Sequence, residues 1–124
     1  MPTLRITAGE VTVSAQLNDS PTARLLWDAL PIDGKANRWG DEIYFSIPVD
    51  VDEESDARAA VEVGEIAFWP PGNAFCIFWG PTPASRGDQP MAASPVNVLG
   101  KIDGDATQFD QVSSGARVRL ERGE

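Results

Sequence analysis

The side chains with chemistry to offer cluster along the chain. Arg38, Trp39, Asp41 and Glu42 place a cation, an indole and two carboxylates at one predicted loop-to-strand junction. Such a group either lines a binding groove or consists of a Trp that completes the core beside solvated charges. Trp69, Asn73, Phe75 and Trp79 put aromatic area beside a proline-rich turn, where the rings serve as packing or as ligand faces. Asn73 has the side chain to cap that turn itself. Thr82, Ser85, Arg86 and Asp88 follow on a constrained segment. The planar guanidinium of Arg86 suits a carboxylate or a peptide carbonyl, with Asp88 or a loop carbonyl as an internal alternative. Asn97, between Val96 and Val98, points away from those valines and presents its amide either to the same groove or to a backbone group. Ligand-binding candidates are therefore Arg38, Trp39, Trp69, Asn73, Thr82, Arg86 and Asn97.

Much chemistry is excluded. The 124 residues contain no His, which removes Ser-His-Asp and Cys-His catalysis and His-ligated zinc. Acid-base work would fall to carboxylates, a shifted Lys or Tyr44. A lone cysteine, Cys76, forbids an internal disulfide and a Cys-rich metal site; its apolar strand setting predicts a buried, inert thiol. Ten Lys and Arg against nineteen Asp and Glu give a net charge of -9, so nucleic acid and anionic membranes would be repelled. The acidic run from Asp50 to Asp56 lacks the glycine and terminal glutamate spacing of a calcium loop and reads as a solvated connector. No metal or cofactor is expected. The start has no signal-peptide pattern, and the longest apolar run, Ala74 to Trp79, is too short for a bilayer; the expectation is a soluble, cytoplasmic protein.

These residues must be held by an all-β frame. A composition of 42% apolar and 23% charged residues, with 11 Gly and 10 Pro, fits one folded, turn-rich domain over 1–124. Leu4, Ile6 and Ala8, then Val11, Val13, Ala15 and Leu17, alternate with polar residues on either side of Gly9-Glu10 and predict a hairpin. Ser20-Pro21 starts a short helix over Thr22–Leu30, and Pro31 stops it. Residues 32–40 read as a loop. Strands follow at Asp41–Ile47, Glu65–Trp69 and Ala74–Trp79, the last apolar on both faces. Its second face must be covered by the helix, a loop or a second protomer, which raises the possibility of a homodimer. The segment from Gly80 to Pro90 is either functional or committed to covering something. Val96 to Ile102 continues as strand, Thr107 to Val112 as a helical turn, and Val118 and Leu120 alternate in a final strand. Seven or eight short strands with one helix predict a closed antiparallel barrel.

The segments Trp39-Gly40-Asp41-Glu42-Ile43-Tyr44-Phe45, Gly64 to Pro83 (with its Trp-Pro-Pro-Gly turn and Gly-Pro-Thr-Pro sequence) and Ser94 to Gly100 resemble the small prokaryotic cyclophilin-like domain family of unknown function. The order of elements extends the resemblance over nearly the whole chain. It implies a cyclophilin-like closed barrel of eight antiparallel strands with helical material at its ends. True cyclophilins bind proline peptides on an outer groove through an Arg, a Gln, aromatics and a His. Their Phe-His-Arg and Gln-Gly-Gly segments have no counterpart here, so prolyl isomerisation does not transfer with the fold.

The residues and the resemblance together predict a binding domain rather than an enzyme, with an aromatic-lined cleft for a small molecule or an extended peptide. A weak or relic prolyl isomerase is the enzymatic alternative, and a homo-oligomeric structural module is the third.

Overall fold

Period-two alternation builds the first hairpin: β1 (Thr3–Ala8) and β2 (Val11–Leu17) pair antiparallel and bury every apolar position named above. Helix α1 (Pro21–Ala29) begins where Ser20 Oγ accepts the Ala23 amide at 3.2 Å, with Pro21 in the first turn where its missing N–H costs nothing. Ala23 and Leu26 are buried in the core that the hairpin lines, whereas Leu25 is 45% exposed. The remaining strands are β3 (Ile32–Lys35), β4 (Asn37–Arg38), β5 (Glu42–Ser46), β6 (Arg58–Ala60), β7 (Glu65–Trp69), β8 (Ala74–Phe78), β9 (Met91–Ile102) and β10 (Arg117–Arg122). A single-turn 3-10 helix occupies Pro70–Gly72 and a two-turn one Ala106–Gln111. This computed structural model describes residues 2–123.

The architecture is mainly β and antiparallel, as the alternation predicts, with two departures. Residues 32–40 are not a loop. They hold β3 and β4, whose outward residues are polar; the only buried positions of the segment are Ile32 in β3 and Ala36 between the two strands, too sparse to read as a strand. The sheet is also not a closed barrel. Its order, β3-β10-β1-β2-β9-β7-β8-β5-β4, begins at β3 and ends at β4, and no ladder joins those two ends. Ala36 alone separates them in the chain, so the segment pairs with β10 through its first half and with β5 through its second. The polypeptide itself spans the gap, and the curl of the sheet around one core follows.

That core gathers Leu4, Ile6, Phe45, Ile66, Phe68, Phe75, Ile77 and Phe109 with the helix residues. A second, smaller core lies on the other side of β7 and β8: Ala67, Ala74, Cys76 and Phe78 meet Val61, Ala92 and Val96. The two-sided apolar strand is thus covered on its outer face by β9, whose first half pairs with β6, and by Val61, which follows β6. Neither the helix nor a second protomer is required there. No helix among the described residues is long and apolar enough to cross a membrane.

Strand β9 is the hub, pairing with β2, β7 and β6. At Gly100, opposite Leu17 and Ile66, a Cβ would sit 2.0 Å from the Gln16 carbonyl oxygen, a contact with backbone that no rotamer relieves. Gly100→Ala is expected to cost about 2 kcal/mol or more, the scale of core overpacking, measurable as a lower urea midpoint with unchanged slope.

Candidate functional site

An aromatic-lined cleft of about 220 Å³ is formed by Trp39, Glu42, Tyr44, Trp69, Cys76, Ala92 and Ala93. It lies on the outer face of the sheet, beside the second core, and not on the side of the main core. Strand alternation explains its floor. Ile43 and Phe45 of β5 face the main core, so Glu42 and Tyr44 face outward, and their cross-strand partners on β8 are Phe78 and Cys76. An outward carboxylate would ordinarily be solvated. Here its neighbours are apolar, and Glu42 is only 5% exposed.

The walls come from elsewhere in the chain. Trp39 enters from the end of β4, where its amide donates to the Glu42 carbonyl at 2.9 Å. Gly40 turns the chain with φ of +63°, and a Cβ there would lie 2.8 Å from the Thr82 backbone; only glycine lets this turn pack beneath the following loop. Trp69 closes β7 and donates its indole N–H to Ser94 Oγ at 2.8 Å, which ties the ring to β9. Ala92 and Ala93, at the start of β9, are small and leave the cleft open. Trp39, Tyr44 and Trp69 are each half-buried.

Glu42 is the one acidic residue in the buried interior of the described chain. Desolvation raises its pKa from the ordinary 4.5 to about 7, and a hydrogen bond with the Cys76 thiol draws it down by less. Cys76 is itself pushed well above the ordinary thiol value, by burial first and then by the neighbouring carboxylate. It is therefore a neutral thiol, inert as expected. The carboxyl therefore changes charge near neutrality, in a chain that has no histidine to do so.

Of the seven ligand-binding candidates the sequence offers, Trp39 and Trp69 meet in this cleft and the others do not. Arg38 is spent internally. Its guanidinium donates to the Gly40, Asp110 and Val112 carbonyls, pairs with Asp41 at 3.3 Å and Asp110 at 3.0 Å, and lies 4.9 Å from the Trp79 ring centroid. It clamps the 106–111 turn to the barrel. Asn73 takes the left-handed conformation at φ of +49° and closes the 3-10 turn through its backbone amide to Pro70 at 3.2 Å, so the cap is main chain and not the expected side chain. Thr82 is buried, accepts the Ala84 amide at 3.2 Å and donates to the Met91 carbonyl. It thereby positions the cleft wall at the start of β9 without lining the cleft. Arg86 is exposed, outside the lining residues.

Asn97, fully buried, acts as a structural staple. Its Oδ1 accepts the Glu54 amide at 2.8 Å, and its Nδ2 donates to the Asp52 carbonyl at 3.1 Å and to Thr22 Oγ1 at 3.2 Å. Glu54 in turn accepts the Thr22 amide and hydroxyl at the start of α1. The acidic connector is thus anchored at Glu54, while Asp50, Asp52, Glu53 and Asp56 remain exposed. Among the described residues no group of three or more metal-ligating side chains converges. Sequence reasoning did group Glu42 with Trp39 but omitted it, Tyr44 and Cys76 from the binding candidates. The signal was the pairing of an acidic strand edge with a neighbour that has no polar face.

The mainly antiparallel fold is that of a cyclophilin-like protein, and comparison with known families agrees. The cyclophilin-like family model matches residues 2–121, and the chain belongs to that family. The solution structure of the hypothetical protein AF2241 from Archaeoglobus fulgidus is similar, with 41% identity and a TM-score of 0.83 over 98% of this chain and 95% of that one. No curated protein is significantly similar in sequence.

Two measurements test these assignments. Because Glu42 binds its proton more tightly when folded, the native state holds the extra proton between about pH 4.5 and 7, and stability attributable to this group falls as pH rises through that window. Above it the penalty is complete, at most about 3 kcal/mol for a gap of this size. Glu42→Gln is therefore expected to flatten the fall and to be the more stable protein at about pH 8, by urea titration across pH. Asn97→Ala leaves the Glu54 amide, Asp52 carbonyl and Thr22 hydroxyl without this partner, and is expected to lose about 2 to 3 kcal/mol in the same titration.

Proposed function

We propose that this protein is a binding domain whose outer cleft takes a small molecule or an extended segment of peptide. The observation that carries the reading is the convergence of Trp39, Tyr44 and Trp69 around the buried Glu42 carboxyl in an open hollow of about 220 Å³. Aromatic walls supply apolar contact area at little entropic cost, and one polar group on the floor sets orientation, the usual division of labour in ligand sites. The volume suits a compact group and not a long buried chain.

A prolyl isomerase reading finds less support, since no Arg is among the lining residues and the sequence lacks His. Self-association loses its main motive too, because the outer face of β8 is covered within the chain.

A screen of small metabolites and proline-containing peptides by thermal shift and by the indole signals of the four Trp residues tests the proposal. A true ligand moves Trp39 and Trp69 and leaves Trp27 and Trp79 in place. Trp69→Ala is expected to weaken it at least tenfold, about 1.4 kcal/mol, and Arg86→Ala to leave it unchanged. Ligands that perturb only other regions, or an empty screen, would count against the cleft.

A further inference from the structure

The charge balance around Glu42 is what sets it apart. The other well-placed carboxylates have protein partners: Glu65 pairs with Arg58 at 2.9 Å, Asp33 with Arg119 at 2.8 Å, Asp110 with Arg38 at 3.0 Å, and Glu54 accepts from Thr22. Glu42, the most buried of them, has no Lys or Arg among the residues that share its cleft; the titratable groups facing it there are Tyr44 and Cys76, neither of which supplies positive charge at neutral pH. Around it stand three aromatic rings, whose faces attract cations. The molecule as a whole carries a net charge of -9, which draws cations towards its surface.

We propose, resting on the reading of this cleft as a ligand site, that its ligand carries a small alkylammonium group, seated between Trp39, Tyr44 and Trp69 with its positive charge against the Glu42 carboxylate. The ligand supplies the cation that the chain withholds. A quaternary or substituted ammonium suits the site better than a metal ion, because it is weakly hydrated and satisfied by ring faces, whereas a metal needs more oxygen or sulfur donors than one carboxylate and one neutral thiol provide. Bound charge also favours ionised Glu42, so binding is coupled to proton release near neutrality.

The test uses choline as the probe and neohexyl alcohol, its uncharged carbon isostere, as the control, read by the indole N–H signals. Choline is expected to shift Trp39 and Trp69 and not Trp27 or Trp79, and to bind at least tenfold more tightly than the alcohol. Its affinity is expected to rise with pH through about 7 and then level off. Glu42→Gln is expected to reduce choline affinity at least tenfold and that of the alcohol by much less; the variant's own urea transition checks that it is folded.

Equal binding of the two probes, an affinity that falls as pH rises, or an unchanged affinity in folded Glu42→Gln would each overturn the ammonium assignment. The wider reading of the cleft would stand in those cases if the neutral metabolites and peptides still moved Trp39 and Trp69. Absence of any choline effect on those two signals likewise overturns the ammonium proposal, and the cleft reading falls with it only when the neutral screen is empty as well.

Discussion

Strand β8 has no polar face, and that constraint organises the molecule. Phe75 and Ile77 belong to the main core, while Ala74, Cys76 and Phe78 point the other way and are just as buried. Leaving a side chain like Phe78 in water would cost about 2 to 3 kcal/mol, a large share of what a small domain has in hand. The outer face must therefore be covered, and the first half of β9, together with β6 and Val61, covers it. The proline-rich segment from Gly80 to Pro90 serves the same cover. Thr82 holds Met91, Ser85 Oγ donates to the Gln89 carbonyl at 2.7 Å, and Gln89 reaches the Val61 carbonyl at 3.2 Å. The cleft is where this second layer stops, between the edge of β5 and the two alanines that open β9.

The legible part of the fold is the part in which period or capping speaks locally. The first hairpin, the helix behind Ser20-Pro21, and β5, β7, β8 and β10 follow from alternation and turn chemistry. Segments whose strand character comes from their partners were not legible. Ile32–Arg38 buries too few positions to show a period, and Met91–Pro95 is a methionine followed by three small residues and a proline, yet both form strand because neighbours offer them edges. The expectation of a sealed barrel failed for a related reason. Strand count and spacing cannot say whether the last ladder forms, and here the chain passes through Ala36 where a ladder would have been.

Of the binding candidates the sequence offers, Trp39 and Trp69 line the cleft and the polar ones lie outside it. Arg38, Asn73, Thr82 and Asn97 have side chains or backbone groups that suit a ligand, and each satisfies an internal group instead. Their common feature is that they hold irregular segments: the 106–111 turn, the Pro70–Gly72 turn, the 80–90 loop and the acidic connector. A chain with this many turns has many backbone groups that no ladder serves, and polar side chains near Gly and Pro are the ones at hand to serve them. Arg86 differs, lying exposed outside the cleft.

Glu42 reverses that pattern, and its cost is the strongest argument that the cleft matters. Holding a carboxylate in an apolar setting lowers stability above neutrality by at most about 3 kcal/mol, against a total of about 5 to 15 for a typical domain. An uncharged residue of similar shape would avoid the penalty, and neither the β5–β8 ladder nor the second core needs a charge at that position. Desolvation raises the energy of the ionised form, so on the proposed reading of the cleft a positively charged or hydrogen-bonding group bound there recovers part of that energy as affinity. On that reading, the stability cost of the ionised carboxylate and a preference for cationic ligands are two expressions of one electrostatic term. They scale together with how completely Trp39, Tyr44 and Trp69 exclude water from Glu42.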